Sequence, residues 1–559
     1  MKKKTMYSFL ALCGLVLAGC STTGKSTGTD TTDAGTNADS QTAAANQEFN
    51  VVISQEMPTA DLSVATDTIS FSALNNVYEG LYRLDADNIP QPAGAAELAE
   101  VSEDGLTYKL KLREDAKWSN GDPVTAADYV YSWQRTVSPD TASEYAYMFE
   151  PVLNAAEITS GDKDVEELGI KAVGDYELEI TLAKATPYFD YLLAFASFFP
   201  QQEKTVEEFG DKYASNSENA VYNGPFVLEG FDGAGTDTEW SYVKNDTYWD
   251  KDTVHLDKVN VSVVKEASTA LNLFQDGQAD DVILTGELAQ QMANDPAYVA
   301  QPEASTQYLE LNQTDEDSPY RNENLRKAIS YAIDREALVN SILGDGSIAS
   351  TGLVPKDMSA SPKEETDFTE DAGTVIEYNP EKAKEYWEKA KDELNVDTIS
   401  AELLASDTDS TKKLIEYIKD TVEKNLDGFE ITLSPVPFAV RLDRSNAGDF
   451  DLVNGGWGAD YSDPSSFLDL FVTGNSYNRG HYSNEDYDAA VEAAGTTNAN
   501  DPEKRWEDMV EAEKILMAEQ GVIPLYQKAE AHLRNEKVKG VVAHPAGAQY
   551  DYKWVTVEE

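Results

Sequence analysis

The spacing G-x-x-x-x-G-K-[ST], which cradles phosphate in many nucleotide-binding proteins, is matched by Gly19-Cys20-Ser21-Thr22-Thr23-Gly24-Lys25-Ser26. A phosphate loop works only between a strand and a helix, where backbone N–H groups and the helix N-terminus converge on the anion. Here a short apolar leader precedes the motif and a Ser/Thr/Gly-rich tail follows, so phosphate binding is excluded. His255, His481, His532 and His544 are widely separated, which leaves no helical metal pair. Asp85-Ala86-Asp87-Asn88 and Asp315-Glu316-Asp317 begin like calcium loops, but neither continues to Gly at the sixth position and Glu at the twelfth, so they read as solvated acidic turns. The body contains no G-x-S-x-G, H-E-x-x-H or G-x-G-x-x-G. A hydrolytic carboxylate pair needs only two suitably placed acids, and no spacing singles out such a pair. Neither cofactor nor metal is expected.

One cysteine carries a different chemistry. Lys2, Lys3 and Lys4 precede an uncharged, mostly apolar run from Met6 to Ala18, too short to span a bilayer as a mature helix. The run ends in Leu17-Ala18-Gly19-Cys20, which resembles a bacterial lipoprotein signal. That resemblance implies removal of residues 1–19 and attachment of a diacylglycerol to the Cys20 thiol. Each buried methylene contributes about 0.8 kcal/mol and two acyl chains anchor stably, so Cys20 alone would hold the protein on a membrane. Cys13 leaves with the signal. From Ser21 to about Asn46 the chain is Ser/Thr/Gly/Ala/Asp-rich without large apolar side chains, and reads as a flexible tether of roughly 25–30 Å.

Composition narrows the remainder. Lys and Arg number 44 against 101 Asp and Glu, a net charge of −57, which excludes phosphate-tracking nucleic-acid binding. The same charge implies a weak long-range preference for cationic ligands, screened over about 8–10 Å. With 41% hydrophobic residues in 559, two or three folded domains are expected.

The elements that must position any site interleave strand and helix periods. Tyr108, Leu110 and Leu112 alternate with Lys109, Lys111 and Arg113, and Leu178, Ile180 and Leu182 repeat the pattern. Thr125 with Asp128 predicts a helix cap, as do Asn379-Pro380-Glu381 and Asp501-Pro502-Glu503. Leu325, Ala328, Ile329, Ala332 and Ile333 mark an amphipathic helix. The stretch 397–457 reads as a βαβ unit: a strand at Ile399, Ala401 and Leu403; a helix at Leu414, Ile415, Ile418 and Val422; a parallel strand at Phe429, Ile431 and Leu433. A further strand from Phe450 ends in Gly455-Gly456-Trp457-Gly458.

Several segments together resemble the oligopeptide-binding (OppA-like) branch of the extracellular solute-binding proteins of peptide ABC importers. They are Tyr78-Glu79-Gly80-Leu81 with Pro90-Gln91-Pro92; the long block from Tyr108 through Trp118-Ser119-Asn120-Gly121-Asp122-Pro123 to Trp133; Asn223-Gly224-Pro225-Phe226; Leu325-Arg326-Lys327-Ala328 with Ile333-Asp334-Arg335; and Gly456-Trp457-Gly458-Ala459-Asp460-Tyr461. The resemblance implies an α/β, two-lobed periplasmic-binding-protein-like (type II) fold, with an extra domain in the first lobe and a hinge between lobes. Domain I is expected at 48–82, 196–296 and 524–559, the extra domain II at 83–195 and the second lobe at 297–523, after a signal at 1–19 and a tether at 20–47. The implied function is non-enzymatic: a monomer, lipid-anchored on the extracytoplasmic face, captures oligopeptides and passes them to membrane permease subunits. A different solute (a glycan, a metal chelate or a signalling peptide) and a hidden hydrolase are the alternatives.

By the same resemblance Asp460 matches an aspartate that pairs with a peptide's α-ammonium, a buried counter-charge worth roughly 3–5 kcal/mol when one partner is lost. Gly456, Trp457 and Gly458 are expected to offer backbone groups, and Thr66, Asp67 and Thr68 to face the ligand from the other lobe. Phe438, Tyr145, Tyr147 and Tyr526 fall on or near cleft-lining aromatics. Short-peptide relatives commonly place a basic residue where this sequence has Asn454; Arg441 and Arg444 are the nearby substitutes, with exposed surface charge as the competing interpretation. If neither serves, the C-terminal end of the ligand is left open.

Overall fold

The computed structural model describes residues 47–558 apart from 187 and 365. The signal, Cys20, the tether and the phosphate-loop match lie outside the described residues.

Helix α1 (Thr68–Val77) starts at Asp67, whose Oδ1 accepts the N–H groups of Ile69 at 3.1 Å and Ser70 at 2.9 Å. Helix α2 (Ala126–Val137) carries the expected reciprocal cap, with Thr125 N–H donating to Asp128 Oδ2 at 2.7 Å. α3 (Glu323–Ala332) buries Leu325, Ala328, Ile329 and Ala332. α4 (Pro380–Leu394) and α7 (Pro502–Glu519) both begin with Pro after a capping Asn379 or Asp501; between them lie α5 (Asp409–Asn425) and α6 (Phe438–Asn446). Proline fits the first helical position because that N–H has no intrahelical acceptor.

The alternating segments at 107–111 and 177–181 sit in a four-stranded antiparallel sheet with Glu100–Val101 and Ile170–Gly174. A larger, eleven-stranded sheet organises the rest. Its main strands are β1 (Glu48–Ile53), β2 (Phe226–Glu229), β3 (Glu239–Lys244), β4 (Lys258–Val263), β5 (Asp281–Leu284), β6 (Tyr298–Leu311), β7 (Ile399–Ser406), β8 (Phe429–Val436), β9 (Leu452–Gly458) and β10 (Ile523–Arg534). They run in the order β8-β7-β9-β6-β10-β5-β1-β4-β3-β2, and Ile348–Ala349 pairs with β10 off this path. The β7-α5-β8 unit is parallel from Ile399 opposite Phe429 to Ser406 opposite Val436.

β6 and β10 are the long strands and explain the two lobes. The first part of β6 pairs with the end of β10, which also pairs with β5; the last part of β6 pairs with β9. The ladder breaks between Pro302 and Thr306 and again between Gln307 and Tyr308. Such irregularities bend a strand pair, so the chain crosses from one lobe to the other at a kinked two-strand bridge. Each side has its own packing. The β7–β9 side is filled by Leu325, Ile329, Trp387, Leu403, Ile415 and Ile418, and the β1–β5 side by Val52, Val282, Leu284 and Leu533. A third, larger core around Tyr78, Trp118, Trp133 and Phe198 extends through Trp457, Phe467 and Leu516.

Many residues behind the family resemblance do structural work. Glu79 is buried and accepts from Tyr248 Oη–H and, at 2.5 Å, from Trp249 Nε1–H; its backbone exchanges hydrogen bonds with the Asn223 amide. Arg326 donates to the carbonyls of Tyr320, Arg321, Glu519 and Gln520. Arg335 donates to those of Ser330, Ile333 and Pro524. Arg326 closes the end of α7, and Arg335 ties the end of α3 to Pro524 of β10; carbonyls at helix ends have no intrahelical donors.

Candidate functional site

A cavity of about 280 Å³ lies between the lobes, walled by β9, β6 and β10, the start of α1 and the start of α6. That volume is near the lower end of the ~300–1,000 Å³ range of organic-ligand pockets and far above a single-ion site.

Asp460 stands two residues beyond the end of β9 and is 8% exposed. Its backbone N–H donates to Ser466 Oγ at 2.8 Å and its Oδ1 accepts from Tyr145 Oη–H at 3.1 Å. Tyr147 reaches the same carboxylate. Burial pushes the carboxyl up to about 8, against the lowering hydrogen bonds of Tyr145 and Tyr147, and no cationic side chain contributes. Tyr145 is fixed by near-parallel packing on Trp457 (6.0 Å, 15°) and Phe195 (5.7 Å, 11°). Asp460 is thus a buried carboxyl held by two tyrosine hydroxyls, with no cationic side chain against it.

Beside it runs an unused sheet edge. β7 pairs with β9 only at Leu452 and Val453, whereas β6 accompanies β9 to Gly458. The other side of residues 454–458 therefore meets the cavity, a position from which a strand can be added. At Gly456 a Cβ would displace the Gln307 amide, so the glycine leaves that side chain its place beside the edge. Four buried polar atoms of cavity-lining residues have no hydrogen-bond partner among the described residues: Asn454 Nδ2, Trp457 Nε1, Arg441 Nε and, from the first lobe, Asp67 Oδ2. Asp67 uses its other oxygen as the α1 cap, and burial raises the group to about 6. Burial, then repulsion by Arg479, lowers Arg441 to about 10.

Most residues that the sequence nominated meet at this cavity. Asp460, Trp457, Gly456, Gly458 and Asn454 line it from β9 and the turn after it. Thr66, Asp67 and Thr68 line it from the α1 end, and Phe438, Arg441, Tyr145 and Tyr526 complete that set. Tyr147 lines an adjoining cavity instead and touches the site through the Asp460 carboxyl. Arg444 is a correction: it is turned away, 2.9 Å from Glu402 and 2.7 Å from Asp449, which hold it on the second lobe's surface. Lining residues missed in sequence include Arg479, Gln307, Glu303, Asp345, Lys528 and Glu530. For β10 a signal was available, since Lys528, Glu530, His532 and Arg534 place a polar residue at every second position, alternating with Ala529, Ala531 and Leu533.

The lobes are drawn together over the cavity. Lys265 Nζ lies 2.9 Å from Glu56 Oε1 on the first lobe and 2.8 Å from Asp407 Oδ1 on the second. On another flank, Asn446 Nδ2 donates to Glu144 Oε1 at 2.6 Å.

Residues 90–479 match the family described as bacterial extracellular solute-binding proteins, family 5, middle region. The chain is 37% identical over 512 residues to a dipeptide-binding protein of Lactococcus lactis subsp. cremoris, covering 90% of this chain and 92% of that one. Among solved structures it is similar to Listeria monocytogenes OppA bound to peptide (44% identity, 92% of this chain and 100% of that one, TM-score 0.89). The pheromone receptor PrgZ is similar at 41% identity, with 92% and 100% coverage and a TM-score of 0.88. Two structures of MppA, a murein tripeptide binding protein, differ in their match: a TM-score of 0.83 for the Escherichia coli protein and 0.62 for an unliganded open form. The lobe arrangement here is thus far from the open one.

Proposed function

This chain belongs to family 5 of the bacterial extracellular solute-binding proteins, and we propose that it is the lipid-anchored receptor of a peptide ABC importer. It captures extracellular oligopeptides between its lobes and hands them to the permease without chemical change. The observation that carries this reading is Asp460, a buried carboxyl without a cation at the end of an unpaired sheet edge. A peptide's α-ammonium supplies the cation, and its backbone supplies the missing strand. With the ammonium at the C-terminal end of β9, the peptide runs antiparallel to β9, towards Asn454 and Arg441. Arg441, with its Nε unpartnered, is then the cation for the peptide carboxylate. Thr66, Asp67, Thr68, Phe438, Tyr145, Tyr147, Trp457 and Tyr526 shape the remaining walls.

The domain assignment belongs to the same proposal: domain I from 48–82, 196–296 and 524–559, domain II from 83–195, and the second lobe from 297–523. So does the anchor, with Cys20 acylated and residues 20–47 lifting a monomeric receptor from the membrane's extracytoplasmic face. Similarity to a pheromone receptor supports a second reading, in which the peptide is a signal and not a nutrient.

The test is to equilibrate purified mature protein with a random peptide library and identify retained species by mass spectrometry. Intact peptides with free N-termini are expected. Cleaved products with turnover, or no retained peptide, reject the reading.

A further inference from the structure

Where β10 and β6 wall the cavity, the charges do not balance, and neither the Asp460 site nor the β9 edge uses them. Deepest lies Asp281, with His532 Nδ1 2.6 Å from its Oδ1 and Arg534 Nε 2.5 Å from its Oδ2. His532 also faces Glu530 Oε2 at 3.3 Å, and Tyr550 Oη–H donates to that oxygen at 2.7 Å. Nearer the cavity, Lys528 Nζ stands 2.6 Å from Glu530 Oε1 and 3.1 Å from Glu303 Oε1. Asp345 comes from the loop beside Ala529, and its Oδ1 accepts Ser347 N–H at 3.0 Å. Against the lowering effect of burial, Asp281 and Glu530 raise His532 to about 9, so the cations are Lys528, His532 and Arg534, facing the four carboxyl groups of Asp281, Glu303, Glu530 and Asp345, one more than the cations.

The surplus falls at the cavity surface. Glu303 and Asp345 both line the cavity and both are more than nine-tenths buried. Glu303 Oε1, although close to Lys528, receives no well-directed hydrogen bond. Burial raises both carboxyls, Glu303 to about 7. The Tyr526 ring lines the same wall and offers a flat apolar and cation-attracting face. A buried carboxylate surplus beside an aromatic face is matched by a cation on an aliphatic stem, and an acidic side chain would meet like charge.

We propose that Glu303, Asp345 and Tyr526 form a side-chain subsite that takes a lysine or arginine of the bound peptide, making one ligand position selective for a cation. The inference rests on the peptide-receptor reading and adds a specificity to it. It differs from the diffuse attraction of an acidic protein for cationic ligands, which salt removes and which does not depend on position along the peptide.

The experiment is calorimetric titration with free-amine alanine-based peptides in which each position in turn carries Lys, norleucine or Glu, at low and at 0.5 M salt. At one position Lys is expected to bind about 10-fold more tightly than norleucine, with Glu weakest, and the preference to survive salt. In Glu303→Gln and in Asp345→Asn that ratio is expected to fall to about 2-fold or less, while norleucine-peptide affinity stays within about 2-fold. Two variants are used because Glu303 also holds Lys528; circular dichroism checks that each folds. A lysine preference that is absent, equal at all positions, abolished by salt, or retained in both variants overturns the subsite and leaves the receptor reading intact. Failure of every peptide to bind the wild-type protein overturns both.

Discussion

Replacing Asp460 by Asn isolates the ammonium pairing. Burial moves the carboxyl from 3.8 to about 8, a shift of roughly four units or ~6 kcal/mol against the ionised form. At pH 7 ionising the group therefore costs only about 1.4 kcal/mol. Removing one member of a buried ion pair costs roughly 3–5 kcal/mol. Subtracting the ionisation cost leaves about 2–4 kcal/mol, so Asp460→Asn should weaken a free-amine peptide by roughly 30- to 1,000-fold. The same peptide N-acetylated should bind wild type weakly and the variant almost equally. Calorimetry on both proteins with both peptides closes a double-mutant cycle. It also counts protons: the wild type should release close to one proton on binding at pH 7, and Asp460→Asn none. Equal losses for amine and acetyl peptides, with coupling under about 0.5 kcal/mol, would refute the pairing.

Lys265→Met should loosen the closed state; the pair is partly exposed, so about 1 kcal/mol or roughly 5-fold faster peptide dissociation is expected by stopped flow, with association little changed. Glu513 is 1% exposed and burial raises it from 4.5 to about 7. The native state then holds a proton that the unfolded chain releases, so stability falls as pH rises through that window. Glu513→Gln should consequently be the more stable protein at pH 8, by up to ~3 kcal/mol in urea unfolding, and lose that advantage at pH 5. Arg326→Met should lower stability by about 2–4 kcal/mol by orphaning buried carbonyls, while peptide affinity measured below the melting transition stays unchanged.

How much was legible in the sequence follows the range of each interaction. The caps at Thr125, Asn379 and Asp501, the alternation at 108–112 and the β7-α5-β8 unit depend on neighbours a few residues apart, and their patterns stand openly in the chain. Asp460 was nominated only through family resemblance, because a single acid after a Gly-Trp-Gly turn carries no distinguishing period; the structure places it, buried, on the cavity wall. The same resemblance also gathered Glu79, Asn223, Arg326 and Arg335, whose roles are to satisfy buried backbone and ring donors or carbonyls.

Tertiary structure decided between Arg441 and Arg444. Three residues apart on one helix and identical in type, they differ because Arg444 meets Glu402 and Asp449 while Arg441 is buried at the cavity without a carboxylate hydrogen-bonded to it. It likewise brought Glu303 to Lys528, more than two hundred residues along the chain, placed Asp345 within reach of the same charge, and set Lys265 between Glu56 and Asp407. Sequence by itself determined the acidic character and the local elements, since composition and short-range periodicity need no fold. Which charges are buried, paired or left wanting depends on distances across the two-strand bridge, and these exist only once the lobes have closed on one another.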